Sequence, residues 1–99
     1  MSHQTIRVVA RVAARPDTRV ELEAILRALV PPTRQEKGCI SYQLLKNAAD
    51  PCDFVFVEEW VSETVMQAHL TTPHIQKAFA QAGPLLARAP EVSSYSILD

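Results

Sequence analysis

Glycine is nearly absent from this chain: Gly38 and Gly83 are the two in 99 residues. Loops that cradle a phosphate or pyrophosphate need several glycines to bring backbone amides onto the anion, so that class of nucleotide site is excluded. Long apolar runs are missing as well. No stretch approaches the ~18–20 residues that span a bilayer, and the opening Met-Ser-His-Gln has no signal-peptide apolar segment. These absences predict a cytoplasmic protein with no membrane partner. There is no excess of one charge either, with ten Lys+Arg against eleven Asp+Glu and a net charge of −1, so no basic footprint points to nucleic acid. Cysteine is scarce. Cys39 and Cys52 head two consecutive strands and fall at diagonal corners of the hairpin, roughly 25 Å apart at ~3.3 Å per residue. A disulfide needs Cα atoms within about 7 Å. The pair is therefore expected to stay reduced, Cys39 as a small buried hydrophobe and Cys52 as a surface turn residue, and neither has CxxC spacing.

What is present is an ordinary globular composition, 47% apolar and 21% charged, in a chain of the size that builds one hydrophobic core. Residues 1–49 carry eight basic and four acidic groups, while 50–99 carry two and seven; the simplest consequence is that the halves fold against each other. A single domain over 1–99, without repeat or linker, is expected.

Alternation of Ile6, Val8, Ala10 and Val12 with Arg7, Val9 and Arg11 predicts a first strand over 6–12. Thr18 followed by Glu21 predicts a capping box, and Leu22, Ile25, Leu26 and Leu29 predict the apolar stripe of a helix. Pro31-Pro32 should kink or interrupt that helix. Residues 39–47 read as a second strand with Ile40, Tyr42 and Leu44 on one face, and 53–60 as a third, joined by the turn 48–51 as an antiparallel hairpin. Ser62 suits the N-cap of a second helix bearing Val65, Met66, His69 and Leu70. Thr72-Pro73 restarts helix, with Ile75, Ala78, Phe79 and Ala82 as its apolar members. Residues 92–98 supply the last strand. The order β-α-β-β-α-β is the split βαβ of the ferredoxin-like fold, a four-stranded antiparallel sheet with its helices on one face. The third strand puts Phe54, Phe56, Glu58 and Trp60 on one face and Val55 and Val57 on the other. Helices cover one side only, so a second copy of the chain is the expected cover for the other, giving a dimeric α+β barrel.

The unusual residues gather after the third strand begins. Glu58 shares its face with aromatic rings and must be paired, hydrogen-bonded or raised in pKa; Arg7 or Arg11 is a candidate partner. His69 falls on the apolar side of its helix, one step from Trp60, near a set of rings (Trp60, Phe56, Phe79, Tyr42) able to line a pocket. An imidazole with an ordinary pKa near 6.5 is an available base, although a lone His on an apolar face is more often a satisfied core residue. His74 could hydrogen-bond at the pocket mouth or sit in solvent. His69 and His74 are five apart across a proline, not the i, i+3 or i, i+4 of helical metal ligands, and no third ligand is evident. No metal or cofactor site is expected.

Three elements, Glu36-Lys37-Gly38-Cys39-Ile40-Ser41-Tyr42, then Phe54-Val55-Phe56-Val57-Glu58-Glu59-Trp60 with Ser62, then Ala68-His69-Leu70-Thr71-Thr72-Pro73-His74, resemble the antibiotic biosynthesis monooxygenase family, above all its small quinol-monooxygenase-like members. The resemblance implies a dimeric ferredoxin-like barrel and oxidation of a quinol or polycyclic phenol by O₂ without flavin, haem or metal. His69, Trp60 and Glu58 would then be catalytic, and Tyr42, Phe56, His74 and Phe79 would bind substrate. Haem-degrading relatives use an Asn, a Trp and a His where this chain has Ala10, His69 and Phe79, which argues against haem breakdown. Other relatives isomerise a small phosphorylated metabolite, so an isomerase or lyase is the rival reading, and a non-catalytic dimeric binding or stress-response module is a third.

Overall fold

The structure is a computed structural model and describes residues 5–99. Its elements are β1 (Ile6–Ala13), α1 (Arg19–Arg34), β2 (Cys39–Lys46), β3 (Asp53–Trp60), α2 (Glu63–His69), α3 (Pro73–Ala82), a 3-10 turn at Gly83–Leu85, and β4 (Glu91–Ser96). The sheet runs β2-β3-β1-β4 with every pair antiparallel. This is the ferredoxin-like α+β arrangement that the pattern predicts. Among the described residues no helix is long and apolar enough to cross a membrane.

Alternation decides which face each strand buries. β3 alternates without a fault: Phe54, Phe56, Glu58 and Trp60 are buried, and the residues between them are half-exposed. Val8, Ala10 and Val12 of β1 join them, and Leu22, Leu26 and Leu29 of α1, Met66 of α2 and Ile75, Ala78 and Ala82 of α3 close the core from the helical side. On the opposite face Val9, Val55 and Val57 are half-buried, flanked by exposed Leu45 and Tyr95. Arg7 there meets Glu59 at 3.4 Å and Arg11 meets Asp53 at 3.5 Å.

Four local expectations are corrected. Thr18 is the N-cap of α1 but makes no capping box, because its hydroxyl is buried and donates to the Leu85 carbonyl at 2.6 Å, tying the helix start to the 3-10 turn. α1 runs through Pro31 and Pro32 without interruption. The carbonyls deprived of an i+4 amide belong to Arg27 and Ala28, both exposed, so water can replace the missing donors, while buried Leu26, Leu29 and Thr33 pin the turns on either side. In β2 the register slips between Cys39 and Ser41, a bulge that leaves Ile40 facing solvent instead of sharing a face with Tyr42. The cysteines are free, as expected, yet both are half-buried, so Cys52 is not a simple surface residue.

Candidate active site

β3, β2 and the α2–α3 corner bring the site together. Ser62 caps α2 by accepting from the Val65 amide at 3.2 Å, and the seven residues that follow end on His69, whose side chain turns onto the sheet and is 3% exposed. The His69 ring lies 4.8 Å from that of Trp60 at 33° and 5.8 Å from Tyr42, edge-on. Tyr42 in turn stacks on Phe56 at 5.0 Å. Of the rings expected near His69, Trp60, Tyr42 and Phe56 are in this stack, and Phe79 is not.

A carboxylate that sequence spacing does not single out holds this imidazole. Glu36, in the turn after α1, accepts from His69 Nδ1 at 2.7 Å and, on the same Oε2 atom, from His74 Nε2 at 2.6 Å. Its place depends on Gly38. That residue has φ +91°, and a Cβ there would meet Val65 Cγ1 at 2.5 Å, so only glycine permits the turn to close against α2. Glu36 is 33 residues from His69 and 38 from His74, a separation at which no spacing rule operates; its position heading the Glu36–Tyr42 motif was the available signal. Because the carboxylate oxygen accepts, the His69 proton sits on Nδ1 and the lone pair on Nε2.

Glu58 is buried on the same face. No arginine reaches it: Arg7 and Arg11 pair with Glu59 and Asp53 instead. Its Oε1 accepts from the Trp60 indole N–H at 2.8 Å. Burial pushes its carboxyl up to about 7, against the pull of that N–H and with the Glu36 charge adding to the rise. The shift favours the protonated form, which can donate a hydrogen bond. Burial, and then the Glu58 charge, also drives the Tyr42 phenol upward, so it stays neutral.

Beside these groups lies a cavity of about 400 Å³ between the sheet and the helices, within the ~300–1,000 Å³ range of small-molecule sites. β1 contributes Val8, Ala10 and Val12, β3 contributes Phe56 and Glu58, and α2 contributes Met66, His69 and Leu70; Ile75, Ala78, Phe79 and Ala82 line it from α3. Among the described residues Glu58 and His69 are its two ionisable groups, and no Lys or Arg lines it. Phe79 and Val92, both about half exposed, stand at its rim. Trp60 and Tyr42 are not in the lining; fully and almost fully buried, they back His69 from the far side. His74 is likewise outside the lining and is linked to His69 through Glu36 and the Thr72 hydroxyl.

The family model for antibiotic biosynthesis monooxygenase matches residues 5–81. The chain is 39% identical over 94 residues to "Putative monooxygenase Rv0793" of Mycobacterium tuberculosis, covering 95% of this chain and 92% of that one. The solved structure of Rv0793 superposes with a TM-score of 0.90 over 96% of each chain. "Probable quinol monooxygenase YgiN" of Escherichia coli is 31% identical over 76% of this chain and 81% of that protein. PA3566 of Pseudomonas aeruginosa superposes at 0.91 with 28% identity, over 97% of this chain and 96% of that one.

Proposed function

The chain belongs to the antibiotic biosynthesis monooxygenase family, and from that premise we propose that it oxidises a quinol or polycyclic phenol with O₂, using His69 as the proton acceptor. The observation that carries this reading is the pairing of an apolar cavity with one carboxylate-held imidazole in its wall.

A flat, uncharged ring suits a lining of aliphatic groups with Phe56 and Phe79. His69 Nε2 takes the phenolic proton while Nδ1–H stays on Glu36, whose charge stabilises the imidazolium as it forms. The phenolate can then give one electron to O₂, which a closed-shell phenol does not do readily, and the radical pair combines into a carbon-bound peroxide. Glu58 in its protonated form supplies a donor to the developing peroxide oxygen. Loss of water leaves one oxygen atom on the ring and the other in the water, and the substrate supplies all four electrons: two in placing oxygen at a former C–H and two in taking the ring to the quinone level, so that a phenol leaves as a quinone and a quinol as a hydroxyquinone. A flat ring seated in the cavity would displace water from the open rim and so shield the radical pair. An isomerase working on a phosphorylated metabolite would need cations around the phosphate, and among the described residues the lining has no Lys or Arg.

The test is O₂ uptake with a reduced naphthoquinol. His69→Ala should lower turnover by roughly 10²–10⁴ with the far-ultraviolet circular dichroism unchanged. Uptake equal to that of the wild type would remove His69 from the mechanism.

The same reading includes a homodimer. Half-buried Val9, Val55 and Val57 with exposed Leu45 and Tyr95 make an apolar strip on the uncovered sheet face. Sedimentation equilibrium should return twice the 11.0 kDa chain mass, and a monomer at micromolar concentration would defeat the pairing.

A further inference from the structure

Glu36, His69 and His74 present one carboxylate oxygen and two ring nitrogens, all within 4.8 Å of one another. The donors come from three separate segments, the turn after α1, the end of α2 and the first turn of α3. Both nitrogens already converge on a single atom, Glu36 Oε2. Among the described residues no Lys or Arg pairs with Glu36, which is 14% exposed and has imidazoles as its only ionic partners. A part-buried carboxylate with no Lys or Arg counter-charge, flanked by two ring nitrogens, offers three metal-ligand atoms converging on one point. We propose that this cluster is a binding site for a divalent transition ion of the Zn²⁺ class, held by Glu36 Oε2, His69 Nδ1 and His74 Nε2.

The donor set selects the ion. Two imidazoles with one carboxylate suit Zn²⁺, Co²⁺, Ni²⁺ or Cu²⁺ and disfavour Mg²⁺ and Ca²⁺, which prefer all-oxygen cages. Bonds of about 2.0–2.1 Å in tetrahedral geometry put donors roughly 3.3 Å apart. A separation no wider than 4.8 Å closes to that value if each ring moves about 0.7 Å, while the carboxylate backs off by a similar amount. His74, 27% exposed, gives the ion a way in from solvent. Thr72 steadies the cluster: its hydroxyl donates to the His69 carbonyl at 2.8 Å and lies 3.3 Å from His74 Nε2.

Occupation has a chemical consequence that rests on the proposed function. A neutral imidazole coordinating through Nδ1 carries its proton on Nε2, the nitrogen assigned to the substrate. The ion-loaded protein has no lone pair to offer the phenol, so bound metal is a reversible inhibitor and takes no part in the oxidation.

Co²⁺ titrated into the chelator-treated full-length protein is the direct probe. The expected result is visible ligand-field absorption saturating at one ion per chain, with calorimetry giving the same stoichiometry. Glu36→Gln and His74→Asn should each weaken binding by more than about 100-fold, beyond the usual cost of losing a supporting partner, in protein whose circular dichroism shows it folded. No band and no saturable heat up to about 1 mM ion would overturn the site, as would unchanged affinity in both variants. Zn²⁺ should then abolish quinol-dependent O₂ uptake and a chelator restore it. Saturated protein with undiminished uptake overturns the inhibitory role. A wild type lacking uptake with any quinol would instead overturn the functional reading, and the Co²⁺ spectrum would still decide the site.

Discussion

Under one helical roof, the β2–β3 side of the sheet is filled with rings, whereas the β1–β4 side is left hollow. Tyr42, Phe56 and Trp60 stack at 5.0 and 6.5 Å on the first side. Across β1 the pairing partners shrink: Ala10 stands opposite Phe56 on one edge and Val92 on the other, and Val8 faces Ser94. Ala78 and Ala82 face the same space from α3. A sealed dry void of about 400 Å³ would cost on the order of 10 kcal/mol at ~24 cal/mol per Å³, as much as a small domain's entire stability. The hollow is tolerable because its rim at Phe79 and Val92 is open to solvent. The contrast teaches a division of labour: the packed rings hold His69 in place, and the small residues leave room beside it.

Substitution of rings on the two sides should separate those duties. Trp60→Ala removes a fully buried indole, the Glu58 hydrogen bond and the backing of His69, and should cost about 3–5 kcal/mol in chemical denaturation. Phe79→Ala, at the half-exposed rim, should cost under about 1 kcal/mol while raising KM for a quinol. Equal losses of stability would erase the distinction between wall and rim.

A slightly smaller effect sharpens the same seam through pH. The Glu58 carboxyl is raised from 4.5 to about 7 in the folded chain, so the folded state holds its proton more tightly than the unfolded one. That contribution to stability is fully present below about pH 4.5 and is lost as pH rises through 7, amounting to about 3 kcal/mol. Glu23 and Asp53 shift the opposite way, so the informative quantity is the difference between wild type and Glu58→Gln. Relative to the variant, the wild type should lose about 3 kcal/mol between pH 4.5 and 8. Parallel stability curves would mean that the Glu58 carboxylate is solvated.

Much of this was legible in the sequence because period-two patterns are hard to mistake. β3 runs over the residues its alternation marks, Asp53–Trp60, and Ser62 caps the helix it was expected to cap. Where tertiary contacts overrode local rules, the sequence was silent. Thr18 gave its hydroxyl to a turn 67 residues away, packing carried α1 through two prolines, and a bulge turned Ile40 outward. The site divides the same way. His69, Trp60, Tyr42, Phe56 and Glu58 sit together because adjacent strands and one short helix put them there. Glu36 was missed because the turn at Gly38 brings it back to α2 from a distance; of the rings expected to line the pocket, Phe79 stands at its rim and Trp60 and Tyr42 lie behind His69, and His74, expected at the pocket mouth or in solvent, bonds Glu36 instead.

The central claim is that a planar phenol enters the hollow and meets His69 Nε2 while Glu36 retains Nδ1. Titration of 1-naphthol into protein with ¹⁵N-labelled histidine, followed by imidazole nitrogen resonances under nitrogen, addresses both halves at once. A saturable one-to-one shift of the His69 Nε2 signal is expected, with its Nδ1 signal and the His74 signals little changed. No shift at saturating naphthol, or a shift confined to His74, would contradict it.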